Sequence, residues 1–271
     1  MRSSKIFTLA ALLTIAAIGA TAFINARLLK KVNSDNKGFA IIELFTSEGC
    51  SSCPPADELV AKIQKEDKDK PVYILAFHVD YWNRGGWKDV FSSSDYSKRQ
   101  SDYAGYLHLQ SVYTPQIVVN GKTEFVGSEE GTLRNAIKSN LQKPSTAQLS
   151  LNISAVEKGL AGIKYNTDGT DKNTVLQIAV LQKNAQTKVE RGENAGHTLS
   201  HVQIVRKLQR VVLNGNTGSV NISLPQGFDS RGWEIIGFLQ NISTGAVTAG
   251  ARAAFSNEVS ASLSAATKKA K

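Results

Sequence analysis

The chain contains very little cysteine: Cys50 and Cys53 are its only two among 271 residues. A structural zinc site normally has four protein ligands, so the missing second cysteine pair argues against a cysteine-based zinc site. The same scarcity leaves one possible intramolecular disulfide, the short bridge between these two residues. Any thiol chemistry must therefore run through a single Cys-x-x-Cys segment.

The chain also lacks a segment in which basic and aromatic residues alternate, the pattern typical of proteins that bind single-stranded nucleic acid. Lys and Arg number 32 against 23 Asp and Glu, a formal net charge of +9. We interpret this excess as a solvated basic surface with a basic tail over residues 257–271. Weak attraction to an anionic membrane or cell wall is the alternative, and no nucleic acid partner is expected.

The N-terminus has the three parts of a secretory leader. Arg2 and Lys5 precede an uncharged stretch over residues 6–26, and residues 20–22 form a small-x-small cleavage pattern. The stretch is also close to membrane-spanning length, so residues 1–26 are predicted to be a signal peptide or a retained membrane anchor. Both alternatives place the rest of the chain outside the cytoplasm, in the periplasm or secreted.

After a linker over residues 27–37, the pattern predicts an α/β domain over residues 38–143. Short apolar runs around a proline-initiated helix predict a βαβ unit, made of strand 39–45, helix 54–66 and strand 72–79. The elements predicted after this unit are an aromatic insert over 80–111 with a helix-like second half, strands 112–119 and 123–126, and a helix over 133–141.

Residues 147–256 have a different texture. Short segments of alternating apolar and polar residues, separated by turn signals, predict a smaller β-sandwich-like domain that begins after a boundary at 143–146. Residues 196–213 fit either a helix or a long strand. If that stretch is helical, His197 and His201 share a face, which is a weak metal-binding signal because no third ligand is visible nearby.

The cysteine pair is expected at the start of helix 54–66. Free N–H groups and the positive end of the helix dipole favour a thiolate at Cys50, so its pKa should fall below the usual value of about 8.5. Cys50 would then attack a disulfide, and Cys53 would resolve the mixed disulfide. This interpretation requires the Cys50 sulfur to be accessible to solvent. The alternative is an inert disulfide that tightens the loop.

Several runs of residues resemble known proteins. Residues 43–54 resemble the active-site entry of thioredoxin-like proteins, and residues 113–121 resemble their cis-proline hairpin. More narrowly, the chain resembles an exported bacterial family called domain of unknown function 1223. The segments that carry this resemblance are 45–57, 78–82, 86–89, 99–100, 113–121, 191–194 and 197–206. The resemblance implies a thioredoxin-like fold and leaves the activity open.

The resemblance implies a role for each residue of the predicted site. Cys50 matches the attacking thiol, Cys53 the resolving thiol and Pro115 the cis proline, which spacing alone leaves either cis or trans. Thr114 matches the residue whose backbone pairs with a bound substrate chain. Ser51-Ser52 departs from the Gly-Pro of thioredoxin, which leaves the reduction potential anywhere between about −270 and about −120 mV.

Other residues near the pair are also candidates. Glu43, on the strand that leads to the cysteine loop, is a candidate proton shuttle if burial raises its pKa. His78 and Asp80 follow the second strand, at the sheet edge where ligands gather. Trp82 and Trp87 are candidates for an aromatic lid or a substrate groove. For each residue the alternative is a purely structural role.

We therefore predict an exported thiol–disulfide oxidoreductase that acts on protein or peptide thiols. It needs no cofactor and depends on a separate redox partner protein. One alternative is a non-enzymatic binding module in which the disulfide is a stable clip. The other is a copper-handling protein that uses Cys50, Cys53 and His78.

Overall fold

The computed structural model describes residues 37–255 and Val259. The predicted leader or anchor, the linker up to residue 36 and the basic tail apart from Val259 lie outside these described residues. Residues 38–255 form one compact unit. Among the described residues, no helix has the length and apolar character needed to cross a membrane.

The described chain combines helices with many strands. Its helices are α1 (Pro54–Glu66), α2 (Ser94–Leu107) and α3 (Glu130–Gln142), with a 3₁₀ helix at Tyr81–Gly85. Its strands are β1 (Ala40–Thr46), β2 (Val72–His78), β3 (Gln116–Val119), β4 (Thr123–Val126), β5 (Gln148–Glu157), β6 (Leu160–Asp168), β7 (Thr174–Lys188), β8 (Thr198–Val212), β9 (Thr217–Ser223), β10 (Trp233–Asn241), β11 (Val247–Arg252) and β12 (Ala254–Phe255).

The strands form a large mixed sheet and a smaller one. The large sheet has the order β11-β10-β7-β8-β2-β1-β3-β4, and the small sheet has the order β12-β5-β6-β9. β1 pairs parallel with β2 and antiparallel with β3. The order of elements up to α3 is the one predicted from the sequence, including a helix in the second half of the insert.

The predicted division into two domains at residues 143–147 differs from the structure. β7, β8, β10 and β11 all follow this point, yet they extend the same sheet as β1–β4. The junction is the parallel pairing of β2 with β8, at Ala76 and Ile204. Without β8, the apolar strand β2 would be an exposed sheet edge, which folded proteins avoid. Residues 196–213 accordingly contain the long strand β8, not a helix.

The large sheet is covered on both faces. Each strand contributes to both apolar layers, because successive side chains of a strand point to opposite sides. On β1, Ile41 and Phe45 belong to the apolar layer that includes Tyr103 of α2. Ile42 and Leu44 instead pack with side chains of α1 and α3. The small sheet covers that second face farther along, over β7 and β10.

We expect a fragment of residues 37–146 not to fold by itself. The cut removes β8 from the edge of β2, and it removes Leu181, Val205 and Phe238 from the layer over β1 and β2. Each large apolar side chain contributes about 1.5–3 kcal/mol when buried, and a whole domain is stable by only about 5–15 kcal/mol. Circular dichroism should show a cooperative thermal transition for residues 37–271 and none for the fragment. A cooperative transition in the fragment would restore the two-domain interpretation.

Candidate functional site: a covered disulfide beside a buried ionic cluster

The cysteine pair lies where the sequence predicts it, at the N-terminus of α1. Pro54 opens the helix, and Cys53 occupies the N-cap position. A proline is favourable there because the first helical N–H groups have no partner within the helix. Cys50 and Cys53 form a disulfide with their Cα atoms 5.4 Å apart.

Both cysteines are fully buried, with 0% of either residue exposed. The intervening Ser51 and Ser52 are exposed. The prediction that solvent reaches the Cys50 sulfur is therefore wrong for this oxidised form. The sulfur is hidden because side chains from other segments of the chain close over the cysteine loop.

Thr114 and Trp82 form one part of this cover. The Thr114–Pro115 peptide bond is cis, as the resemblance implies. Thr114 Oγ1 donates a hydrogen bond to Cys50 Sγ at 3.3 Å, and Trp82 Nε1 donates to Thr114 Oγ1 at 2.8 Å. A Cβ added at Gly49 would lie 3.1 Å from Trp82 Cβ, so residue 82 packs closely against the loop that leads to Cys50.

The loop between β7 and β8, residues 189–197, forms the other part and is named here the covering loop. Ser51 N and Ser51 Oγ both donate to Glu193 Oε2, at 3.0 and 2.7 Å. Asn194 Nδ2 donates to the carbonyl oxygens of Glu48 and Cys50, at 2.9 and 3.0 Å. The sequence gives no local signal for these contacts, since more than 140 residues separate the partners.

Five ionisable side chains form a cluster beside the disulfide, here named the buried ionic cluster. All are at most 5% exposed: Glu48, Asp57, His78, Asp89 and His201. His78 Nδ1 lies 2.7 Å from Asp89 Oδ2, which also accepts the backbone N–H of Glu48 at 2.9 Å. These bonds tie the end of β2 to the strand–helix connection that carries the cysteines.

His201 has a less complete set of partners. Its Nε2 lies 3.5 Å from Glu48 Oε1 and its Nδ1 lies 3.9 Å from Asp57 Oδ1, distances longer than a hydrogen bond. Its ring meets the His78 ring edge to face, with centroids 4.8 Å apart. Both ring nitrogens of His201, together with His78 Nε2 and Glu48 Oε1, are buried without a hydrogen-bond partner.

The pKa values of two members, His201 and Asp89, are shifted by their surroundings. Burial lowers the pKa of His201, but the attraction of the Asp57 and Glu48 carboxylates is stronger and raises it from 6.5 to about 9. Burial likewise raises the pKa of Asp89, yet the charge and hydrogen bond of His78 bring it below its ordinary value. At neutral pH His201 is therefore a cation between two carboxylates.

Trp87, one of the predicted site residues, lies between the buried ionic cluster and the covering loop. Its Nε1 donates to Glu48 Oε2 at 2.7 Å. A Cβ added at Gly192 of the covering loop would lie 3.4 Å from Trp87 Cβ. The structure thus brings both tryptophans of the insert to the cysteine loop, Trp82 at Thr114 and Trp87 at Glu48.

Glu43 does not take the position predicted for a proton shuttle. It lies on the α2 face of β1, where Arg99 Nη2 donates to its Oε1 at 2.8 Å and Tyr103 Oη donates to the same oxygen at 2.5 Å. The prediction failed because alternation along β1 points residue 43 away from α1. Asp57, one turn after Cys53 on α1, is the buried carboxylate on the cysteine side.

Asp80, predicted as a binding residue at the sheet edge after the second strand, is the N-cap of the 3₁₀ helix and bonds to α2. Ser97 Oγ donates a hydrogen bond to Asp80 Oδ1 at 2.5 Å, and it accepts one from the backbone N–H of Asp80 at 3.0 Å. Asp80 therefore ties the start of the 3₁₀ helix to α2. Within residues 37–255, no group of three or more His, Cys, Asp or Glu side chains has the geometry to hold a metal ion.

Comparison with known families places the chain. The model of a family described as protein of unknown function (DUF1223) matches residues 41–240. The chain belongs to this family. The matched range includes both cysteines, the insert, the covering loop and every member of the buried ionic cluster.

Solved structures similar to this DUF1223 protein include protein AGR_C_4864 from Agrobacterium tumefaciens. The two are 26% identical, with a TM-score of 0.62 over 79% of this chain and 92% of that one. HBP35 of Porphyromonas gingivalis is 15% identical, with a TM-score of 0.56 over 80% of this chain and 74% of that one, a likeness of fold alone. Comparison with curated proteins found no match.

We expect the stability of this DUF1223 protein to fall as the pH rises through about 9. His201 binds its proton more tightly in the folded chain than in the unfolded one, where its pKa is 6.5. Its contribution is therefore complete below pH 6.5 and is lost as the pH rises through the folded pKa. The difference between the two pKa values corresponds to about 3 kcal/mol. Urea unfolding across this pH range measures the effect.

His201→Gln is the matching variant for this experiment. The substitution should lower the free energy of unfolding at neutral pH. It should also remove most of the decrease in this free energy that the wild type shows at alkaline pH. His197→Gln is the control, because His197 is exposed on the covering loop. Equal pH dependence in the wild type and His201→Gln would show that His201 is not a buried cation.

Proposed function

We propose that this protein is an exported, thioredoxin-like thiol–disulfide oxidoreductase that acts on protein or peptide thiols through Cys50 and Cys53. One observation carries the proposal: the disulfide stands at the N-terminus of α1, directly beside Thr114, whose Oγ1 donates to Cys50 Sγ at 3.3 Å. A helix N-terminus stabilises the thiolate that leaves when the disulfide is attacked.

The chemistry is two successive exchanges. In the reduced protein the Cys50 thiolate attacks a substrate disulfide, which forms a mixed disulfide and releases one substrate thiolate. The Cys53 thiolate then attacks the Cys50 sulfur, releases the second substrate thiolate and closes the Cys50–Cys53 bond. Two electrons pass to the substrate, and the reverse sequence oxidises a dithiol. A separate redox partner protein restores the starting state, and no cofactor takes part.

Burial of the disulfide means that exchange follows an opening of the cover. The covering loop is held to the cysteine loop by four hydrogen bonds, from Ser51 to Glu193 and from Asn194 to two carbonyl groups. Ser51 and Glu193 are exposed, so water can replace their two bonds, and only the two bonds from Asn194 are buried. At about 0.5–1.5 kcal/mol each, the Asn194 bonds contribute about 1–3 kcal/mol, which is below the stability of a typical domain, so the loop can open without global unfolding.

The buried ionic cluster supports a redox role over a purely structural one. Removing ions from water costs several kcal/mol for each ion, even after relaxation. A clip that only tightens a loop needs no such cluster, whereas reactive sites commonly contain buried groups with shifted pKa values. Asp57 and Glu48 stand close to Cys53 and Cys50 in the chain and share the cation of His201.

The second candidate function is a binding module with a permanent disulfide. The complete burial of Cys50 and Cys53 favours it. In that case the pair exchanges with no thiol while the protein is folded, and the insert and the β-rich part recognise a partner. The two functions therefore differ in one measurable property, the reactivity of the disulfide in the native protein.

Substitution of each cysteine tests the proposed mechanism. We expect Cys50→Ser to abolish reduction of a disulfide-bonded peptide, because the attacking sulfur is gone. We expect Cys53→Ser to accumulate a mixed disulfide with the peptide, detectable by mass spectrometry, because nothing resolves it. Full activity of Cys50→Ser, or a native disulfide that resists every thiol, would rule out the oxidoreductase and leave the binding module.

Export is a separate part of the proposal. Residues 6–26 lie outside the described part of the chain, so the leader interpretation rests on the sequence pattern. Cell fractionation should find the protein outside the cytoplasm. Sequencing of its N-terminus should begin just after residue 22 if the leader is cleaved, and a membrane fraction with an intact N-terminus would indicate the anchor. Recovery in the cytoplasm would contradict export.

A further inference from the structure

We propose that Glu193 occupies an anion-binding position on the cysteine loop, and that the substrates that displace it carry a carboxylate close to their sulfur. This inference rests on the proposed function, since it concerns the substrates of the same cysteine pair. It assigns a chemical class, thiols and disulfides with a neighbouring carboxylate, that the cysteine pair alone does not indicate.

The position is defined by two donors that converge on one oxygen. Ser51 N and Ser51 Oγ donate to Glu193 Oε2 at 3.0 and 2.7 Å. Hydrogen bonds to a charged acceptor are stronger than those between neutral groups. Ser51 directly follows Cys50, so an anion held here lies next to the sulfur that exchanges.

The Glu193 carboxylate makes no hydrogen bond or ion pair in the described structure other than those with Ser51. It is exposed, and within residues 37–255 its contacts are with Ser51 alone, without a cationic partner. The hydrogen bonds from Ser51 hold the pKa of Glu193 below its ordinary value, so the group is an anion at neutral pH. A carboxylate from another molecule can therefore replace it without leaving a charge unpaired.

Other hydrogen bonds also occupy donors and acceptors around Cys50. The Asn194 amide donates to the carbonyl oxygens of Glu48 and Cys50, two residues apart in the segment that leads to the disulfide. Ser52 Oγ donates to the Thr114 carbonyl oxygen at 3.4 Å, so that acceptor is also occupied. A substrate that reaches Cys50 must displace these contacts, and a substrate carboxylate would regain the two bonds from Ser51.

Rates of disulfide reduction by small thiols of different charge test this inference. The probes are 3-mercaptopropionate (anionic), 2-mercaptoethanol (neutral) and cysteamine (cationic), and the proteins are full-length wild type, Glu193→Gln and Glu190→Gln. Glu190 is an exposed glutamate of the same loop and serves as the control for net charge. The ratio of variant to wild-type rate for each thiol cancels the intrinsic reactivity of that thiol.

We expect Glu193→Gln to raise the rate with 3-mercaptopropionate about five- to tenfold more than with cysteamine, with 2-mercaptoethanol between them. Glu190→Gln should change all three rates by less than about twofold, as expected for an exposed charge. NMR gives a second readout that involves no redox chemistry. During titration with acetate, the backbone amide resonance of Ser51 should shift saturably in Glu193→Ala and stay fixed in the wild type.

Each other outcome overturns the inference and shows where it failed. Equal acceleration of all three thiols would make the loop a simple cover without preference for charge. Unchanged rates in Glu193→Gln, with normal reduction of the wild type, would remove Glu193 from the control of access and leave the oxidoreductase intact. A disulfide that no thiol reduces in any folded variant would instead end both proposals. A cysteinyl peptide with a neighbouring Asp, compared with its Asn counterpart, then separates peptide substrates from small thiols.

Discussion

The pairing of β2 with β8 determines how the site is built. Because β8 lies beside β2 in the large sheet, the loop that precedes β8 reaches the cysteine loop, and His201 on β8 reaches Glu48 and Asp57. The cysteine pair and four of the five members of the buried ionic cluster come from the first half of the chain, whereas the covering loop and His201 come from the second half. The β-rich part is therefore part of the site and not an appended domain.

Two features of the site oppose one another. Burial protects the disulfide, whereas the ions beside it are costly to bury and have incomplete hydrogen bonding. The covering loop meets the cysteine loop through four hydrogen bonds, two at the surface from Ser51 to Glu193 and two buried ones from Asn194. In the proposed oxidoreductase, a substrate gains access to Cys50 by replacing these bonds.

The sequence predicts the local parts of this structure well. Pro54-Pro55 marks the start of α1, and Asn120-Gly121 marks the hairpin between β3 and β4, because these signals act within a few residues. Alternation also predicts buried strands after residue 147. It does not indicate which sheet a strand joins, so the pairing of β8 with β2 and the burial of His201 were missed. The ion pair of Glu43 with Arg99 has no local signal either, because 56 residues separate the two.

The proposed function requires the covered disulfide to be redox-active in the folded protein. The equilibrium reduction potential of the Cys50–Cys53 pair, measured against glutathione under native conditions, tests this requirement. We expect a value between about −270 and about −120 mV, the range of thiol–disulfide exchange proteins. A potential below about −300 mV, typical of structural disulfides, would contradict it.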